Sequence, residues 1–142
     1  MLNAINDKIL EKLETLKGSG KPLVEVKDYH TLSWEYPYAT FELVNIAIKS
    51  LDNCSAIRIF QFDILVFQSI LEDDSNRDEA KANIYYVFDD IFELFDKDET
   101  LGGLADAWVN TLGGNLKPFI TQTGKALVGR LELQVKVTYN TK

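Results

Sequence analysis

Cysteine is nearly missing from this 142-residue chain: Cys54 stands alone, which excludes an intrachain disulfide and a cysteine-built zinc or iron-sulfur centre and fits a reducing compartment. Histidine is as scarce, with His30 the single copy, so a multi-histidine metal site has no material. Three prolines and eight glycines are too few for a low-complexity linker, and Leu101-Gly102-Gly103 and Leu112-Gly113-Gly114 echo each other without forming a structural repeat. Positive charge is short, 15 Lys and Arg against 22 Asp and Glu for a net charge of −7, which disfavours a protein that grips duplex DNA by broad phosphate neutralisation. Long apolar runs are missing as well. Ile64-Leu65-Val66-Phe67 falls far short of the roughly 20 residues that span a bilayer, and no membrane association is expected. The opening Met1-Leu2-Asn3-Ala4-Ile5-Asn6-Asp7 has neither the basic region nor the apolar core of a secretory signal, so the expected site of synthesis and folding is the cytoplasm.

The chain does have core material. With 46% hydrophobic residues it reads as one globular domain over residues 1–142. Leu2, Ile5, Ile9, Leu13 and Leu16 recur at helical spacing and predict an N-terminal amphipathic helix, stopped by Gly18-Ser19-Gly20. Leu23-Val24-Glu25-Val26-Lys27 predicts a short strand, and aromatic and β-branched enrichment predicts two longer ones, from about Tyr38 to Ile48 and from about Ala56 to Gln68. In the latter Phe60, Phe62, Ile64 and Val66 share a face, opposite Gln61 and Asp63, so one sheet face is expected to be buried more completely. Ser75 and Asp78 form a capping-box-like start for a long helix with the apolar stripe Ala80, Ile84, Val87, Phe88, Ile91 and Phe95 and an acidic side of Asp89, Asp90, Glu93 and Asp96. Thr100 to Lys117 is glycine-punctuated, with a short helix or strand near Leu104 to Asn110, and Leu131 to Tyr139 alternates with strict period two, as a half-buried strand does. The expected fold is α+β: a mostly antiparallel sheet of about four strands, with the N-terminal helix and one long helix packed on one face.

Motifs with catalytic or binding chemistry are weak. Gly18-Ser19-Gly20-Lys21 resembles the end of a phosphate-binding loop, but it follows a helix and Pro22 stands where the magnesium-binding Ser or Thr belongs. Asp96-Lys97-Asp98-Glu99 opens like a calcium loop, yet Leu101 and Ala107 occupy its two decisive positions. His30 with Asp28 or Cys54 supplies the elements of an acid-base or nucleophilic pair, without any recognised spacing; a loop histidine and a small buried thiol are the plainer reading. No catalytic, cofactor-binding or metal-ligating residue is therefore assigned. Trp34, Tyr36 and Tyr38 share a face if extended, and with Trp108 they are candidates for a protein interface or for core packing. No basic residue is interleaved with them, which weakens single-strand nucleic-acid binding.

Taken in order, an N-terminal helix, Tyr36-Pro37-Tyr38-Ala39-Thr40-Phe41, a strand through Ile59-Phe60-Gln61-Phe62-Asp63-Ile64, an amphipathic helix, Thr100-Leu101-Gly102-Gly103-Leu104-Ala105-Asp106 and a final alternating strand resemble the tail terminator or tail completion family of long-tailed phages. The resemblance implies an α+β subunit that forms a homo-oligomeric ring, a hexamer, on the head-proximal end of the tail tube in the virion. Such a ring stops tube polymerisation and offers a surface to the head-completion or connector protein. It implies no enzyme and no cofactor. DNA passes through the ring without being specifically bound, and an acidic lining serves this by repelling phosphates. Glu72, Asp73, Asp74, Asp98 and Glu99, with the acids of the long helix, are the candidates for that lining. Another phage neck or head-closure subunit is the nearest alternative. A small hydrolase or ligand-binding domain built on His30 and nearby acids is the alternative from a different class.

Overall fold

The computed structural model describes residues 1–31, 35–52, 54–71, 73–111, 116–121 and 124–140. Among these described residues two helices and six strands follow in the order α1 (Leu2–Glu14), β1 (Glu25–Lys27), β2 (Tyr38–Ser50), β3 (Ser55–Ile70), α2 (Arg77–Lys97), β4 (Asp106–Thr111), β5 (Lys117–Thr121) and β6 (Gly124–Asn140). The class is α+β, as the alternation of helical and two-residue periods predicts.

One sheet holds all six strands in the order β1-β2-β3-β6-β4, with β5 on the same side of β6 as β4. Its spine is the ladder between β3 and β6, which runs antiparallel from Ser55 opposite Asn140 to Ile70 opposite Lys125. β2 lies antiparallel on the other side of β3, and β1 is the one parallel member, covering β2 only from Tyr38 to Thr40. The sheet is larger than the expected four strands. β4 and β5 come from the segment whose glycines hide any period, and they are strands because they pair with β6. β6 is also longer than the alternation from Leu131 to Tyr139 predicts, since Gly124–Arg130 continues the same ladder.

The helices cover one face. Phe41, Phe60, Phe62, Ile64, Leu131, Leu133 and Val135 point to it and join Ile5, Ile9 and Leu13 of α1 and the expected stripe of α2 in a single core. α2 crosses the sheet directly above Gly129, where a Cβ would lie 2.5 Å from Phe88 Cζ. Two helix-end details correct the sequence reading. α1 ends at Glu14, before Leu16, with the Thr15 hydroxyl donating to Lys12 O. α2 does not use the Ser75/Asp78 capping box: its N-cap is Asn76, whose Oδ1 instead accepts the amide of Leu71 at 2.7 Å, tying the turn after β3 to the helix start.

Candidate functional site

β2 is buried from Tyr38 to Phe41 and then runs out beyond the helix layer. From Val44 to Ser50 every residue is exposed, and Val44, Ile46 and Ile48 keep 48%, 48% and 65% of their surface in water, with Leu51 at the hairpin end at 50%. The register explains why this is unusual. Ile46 lies opposite Phe60 and Ile48 opposite Arg58, so both stand on the helix-covered side of the sheet at a height where no described helix covers them. A bulge between Leu43 and Asn45 precedes them, adding twist as the strand leaves the core. On the same side Arg58 stacks over the ring of Tyr139, with its guanidinium carbon 4.2 Å from the centroid.

The outer edge of this segment is open as well. β1 stops at Thr40, and among the described residues no strand pairs with the outer side of β2 beyond it, a span of about 30 Å at the usual strand rise. Open edges of this length are normally blunted by charge or proline. Between Leu43 and Ser50 the one charged residue is Lys49. An apolar strand edge that is unpaired among the described residues leaves backbone N–H and C=O groups free to hydrogen-bond.

The aromatic candidates divide. Tyr38 is wholly buried, with its ring stacked at 4.4 Å on Phe67, which takes the core-packing reading of the two and sets aside its candidacy for the interface. Tyr36 is half-buried with its ring 5.3 Å from that of Tyr38. Trp34 lies outside the described residues. Trp108 is placed in edge strand β4, opposite Gln134 in the register.

The acidic candidates fall at opposite ends of α2, about 30 Å apart for a helix of its 21 residues, and so form two groups. At the first end Asp74 is paired with Lys125 at 2.7 Å, and exposed Asp73 accepts the Ser75 amide, which holds its carboxyl below the usual range. Glu72 lies outside the described residues. At the second end Asp98 is bound to Lys12 at 2.8 Å and accepts the Gly102 amide at 3.0 Å; the Lys12 bond first, and then the amide, depress its pKa. Glu99 is exposed. Asp74 and Asp98 are thus half-neutralised by partners, whereas Asp73, Glu99, Asp89 and Asp96 face water.

The catalytic constellations are not brought together. The His30 ring shares a hydrogen bond between Nδ1 and the Thr40 hydroxyl at 2.9 Å, with Nε2 3.9 Å from Glu42. Thr40 is fully buried in β2, out of reach of any substrate. Asp28 accepts instead from Asn6 at 3.2 Å, and Cys54, against the expectation of a buried thiol, sits exposed because it falls in the turn at the far end of β2 and not in a strand, about 30 Å from Thr40 by strand rise. Gly18–Lys21 is the turn that leads α1 back towards β1, and Asp96–Glu99 is the end of α2. Glu42, Asp63 and Glu132 stand side by side on three strands of the uncovered face, but Asp63 is paired with Arg130 and Glu132 accepts from Gln134. Among the described residues no group of His, Cys, Asp and Glu is arranged to hold a metal ion, and no helix is long and apolar enough to cross a membrane. A shallow concavity of about 220 Å³ lies between Thr100–Ala105 and Lys136–Thr138.

Sequence reasoning did not single out Val44, Ile46 and Ile48. Their alternation is identical to that of a core-facing strand, and only the length of the helix layer distinguishes the two. No protein-family model matches the chain, and a search of curated proteins finds no relative.

Proposed function

We propose that this chain is a structural phage protein of the tail terminator kind, a subunit that assembles with its own copies into a ring capping the tail tube, stopping its polymerisation and giving the head-completion or connector protein a surface to join. The observation that carries the reading is the open apolar edge of β2, where Val44, Ile46 and Ile48, with Leu51 just beyond the strand, are left in water and the outer side of the strand has no partner among the described residues. A monomer gains nothing from such an edge and risks aggregation, whereas a ring that closes head to tail buries it without open-ended growth. The order of helix, Pro-Tyr strand entry, amphipathic helix and Thr100-Leu101-Gly102-Gly103 supplies the resemblance, and the ring number is six by that resemblance alone. The subunit works in the virion at the head-proximal end of the tail, after synthesis in the host cytoplasm, and carries out no catalysis. A net charge of −7 and the exposed Asp73, Asp89, Asp96 and Glu99 suit a ring through which DNA slides unheld.

The test is assembly followed by capping. Purified protein viewed by electron microscopy and weighed by light scattering should give closed rings, and added to polymerising tail tube protein it should shorten the tubes and sit at one end of each. Monomers at every concentration, with tubes unaffected, refute the reading. Rings that bind a connector but leave tube length unchanged move the protein to the head-closure class.

A further inference from the structure

The two edges of the sheet fit each other. Both β2 and β6 run antiparallel to β3, and β4 runs antiparallel to β6, so the two boundary strands β2 and β4 point in opposite directions. Rotating a copy about an axis along the strands preserves strand direction, so β2 of one copy meets β4 of the next as an antiparallel pair, the ladder with the stronger hydrogen-bond geometry. No described strand lies outside either one at this height.

Face and charge then fix the register. Ile46 and Ile48 belong to the helix-covered side through their partners Phe60 and Arg58, and Val109 and Ala107 occupy register positions opposite Leu133 and Val135 on that same side. Keeping the helix layers of successive copies on one side of a continuous sheet requires Ile46 and Ile48 to lie opposite Ala107, Val109 or Thr111, because a slip of one residue turns every side chain over. Of the registers that remain, one sets Lys49, the sole charge between Leu43 and Ser50, opposite Asp106, the sole charge of β4. That register also places Ile48 opposite Ala107, Ala47 opposite Trp108 and Ile46 opposite Val109. Slipping two residues either way moves Lys49 opposite Trp108 or beyond the start of β4. Within one subunit Ala47 is level with Asp106, through Ile59 and Lys136, so the junction adds a two-residue stagger per copy, and stagger is what a closing sheet needs. β1, ending at Thr40, leaves this stretch of β2 clear.

We infer that residues 45–49 of β2 pair antiparallel with residues 106–110 of β4 in a second copy of this chain, Lys49 opposite Asp106, and that this junction propagates one sheet from subunit to subunit. The inference rests on the ring reading above and names the surface through which the ring closes.

In a Cys54→Ala background, Ile48→Cys combined with Ala107→Cys should give, on mild oxidation, a ladder of disulfide-linked oligomers on a non-reducing gel, while each single substitution gives none. Ala47→Cys alone should stay uncrosslinked; a covalent dimer from it would show two β2 edges paired about a two-fold axis and overturn the proposal. Independently, Lys49→Asp and Asp106→Lys should each weaken association by about fivefold or more, the size of one cross-strand charge pair, and their combination should restore it. Thermal melts of each variant monitor the fold, and failure of both the ladder and the rescue in folded protein sinks the pairing. A ladder without tube capping leaves this junction standing and removes the tail terminator reading, whereas capped tubes without a ladder remove the junction alone.

Discussion

At Gly129 a Cβ would lie 2.5 Å from Phe88 Cζ and 2.8 Å from both Ile84 Cγ2 and Leu116 Cδ2, closer than packed carbons approach. The glycine lets α2 settle onto β6, and Gly129→Ala should cost about 1–3 kcal/mol through overpacking, read as a lower midpoint in urea unfolding. Asp98 does a different job, joining α1 through Lys12 to the turn after α2 through the Gly102 amide. Because its folded pKa is depressed, the stability it adds is present above the ordinary carboxylate value near 4 and is lost as pH falls through the lower folded value. Asp98→Asn should therefore lower the melting temperature at neutral pH and flatten the acid limb of a melting-temperature profile. His30 and Cys54 have separate surroundings, and replacing both by Ala should leave ring formation intact; loss of rings in a folded double variant would assign them a part in assembly.

Elements show most clearly what a linear reading captures. α2 was legible to the residue: all six positions of its expected stripe are buried, because a helix with one wet side advertises its period in the chain itself. β3 was equally legible through Phe60, Phe62, Ile64 and Val66. β4 and β5 were not, since their pairing with β6 is a long-range fact that their composition does not encode. The fate of Tyr38 could not be read either, because whether an aromatic at a strand entrance is core or contact depends on Phe67, 29 positions away. The open edge escaped for the same reason, since Ile46 and Ile48 differ from core isoleucines only in having no described helix above them. That difference can be measured. Ile46→Lys combined with Ile48→Lys should change the urea midpoint of the subunit little, given the exposure of both side chains, while abolishing rings in micrographs. A large loss of subunit stability would place these residues in the fold of the monomer.

For the whole molecule, charge sets its relation to nucleic acid. With a net charge of −7 and acids grouped at both ends of α2, assembled rings should show no measurable affinity for duplex DNA at physiological salt in a fluorescence titration. Tight, salt-sensitive binding would point to a lumen carrying Lys and Arg and to a connector that grips DNA. The central ladder has a consequence for folding rate. β3 and β6 sit side by side, yet the residues they pair are between 55 and 85 positions apart in the chain, with α2, β4 and β5 between them. Closing loops of that length before any contact rewards them makes for slow folding, on the millisecond-to-second scale of non-local sheets. Until β6 inserts, α2 has no Gly129 to rest on, and β4 and β5 have no strand to pair with. Under the pairing inferred above, a subunit whose β6 has not yet inserted would have no ordered β4 edge to offer a neighbour, so the junction would select for completed subunits.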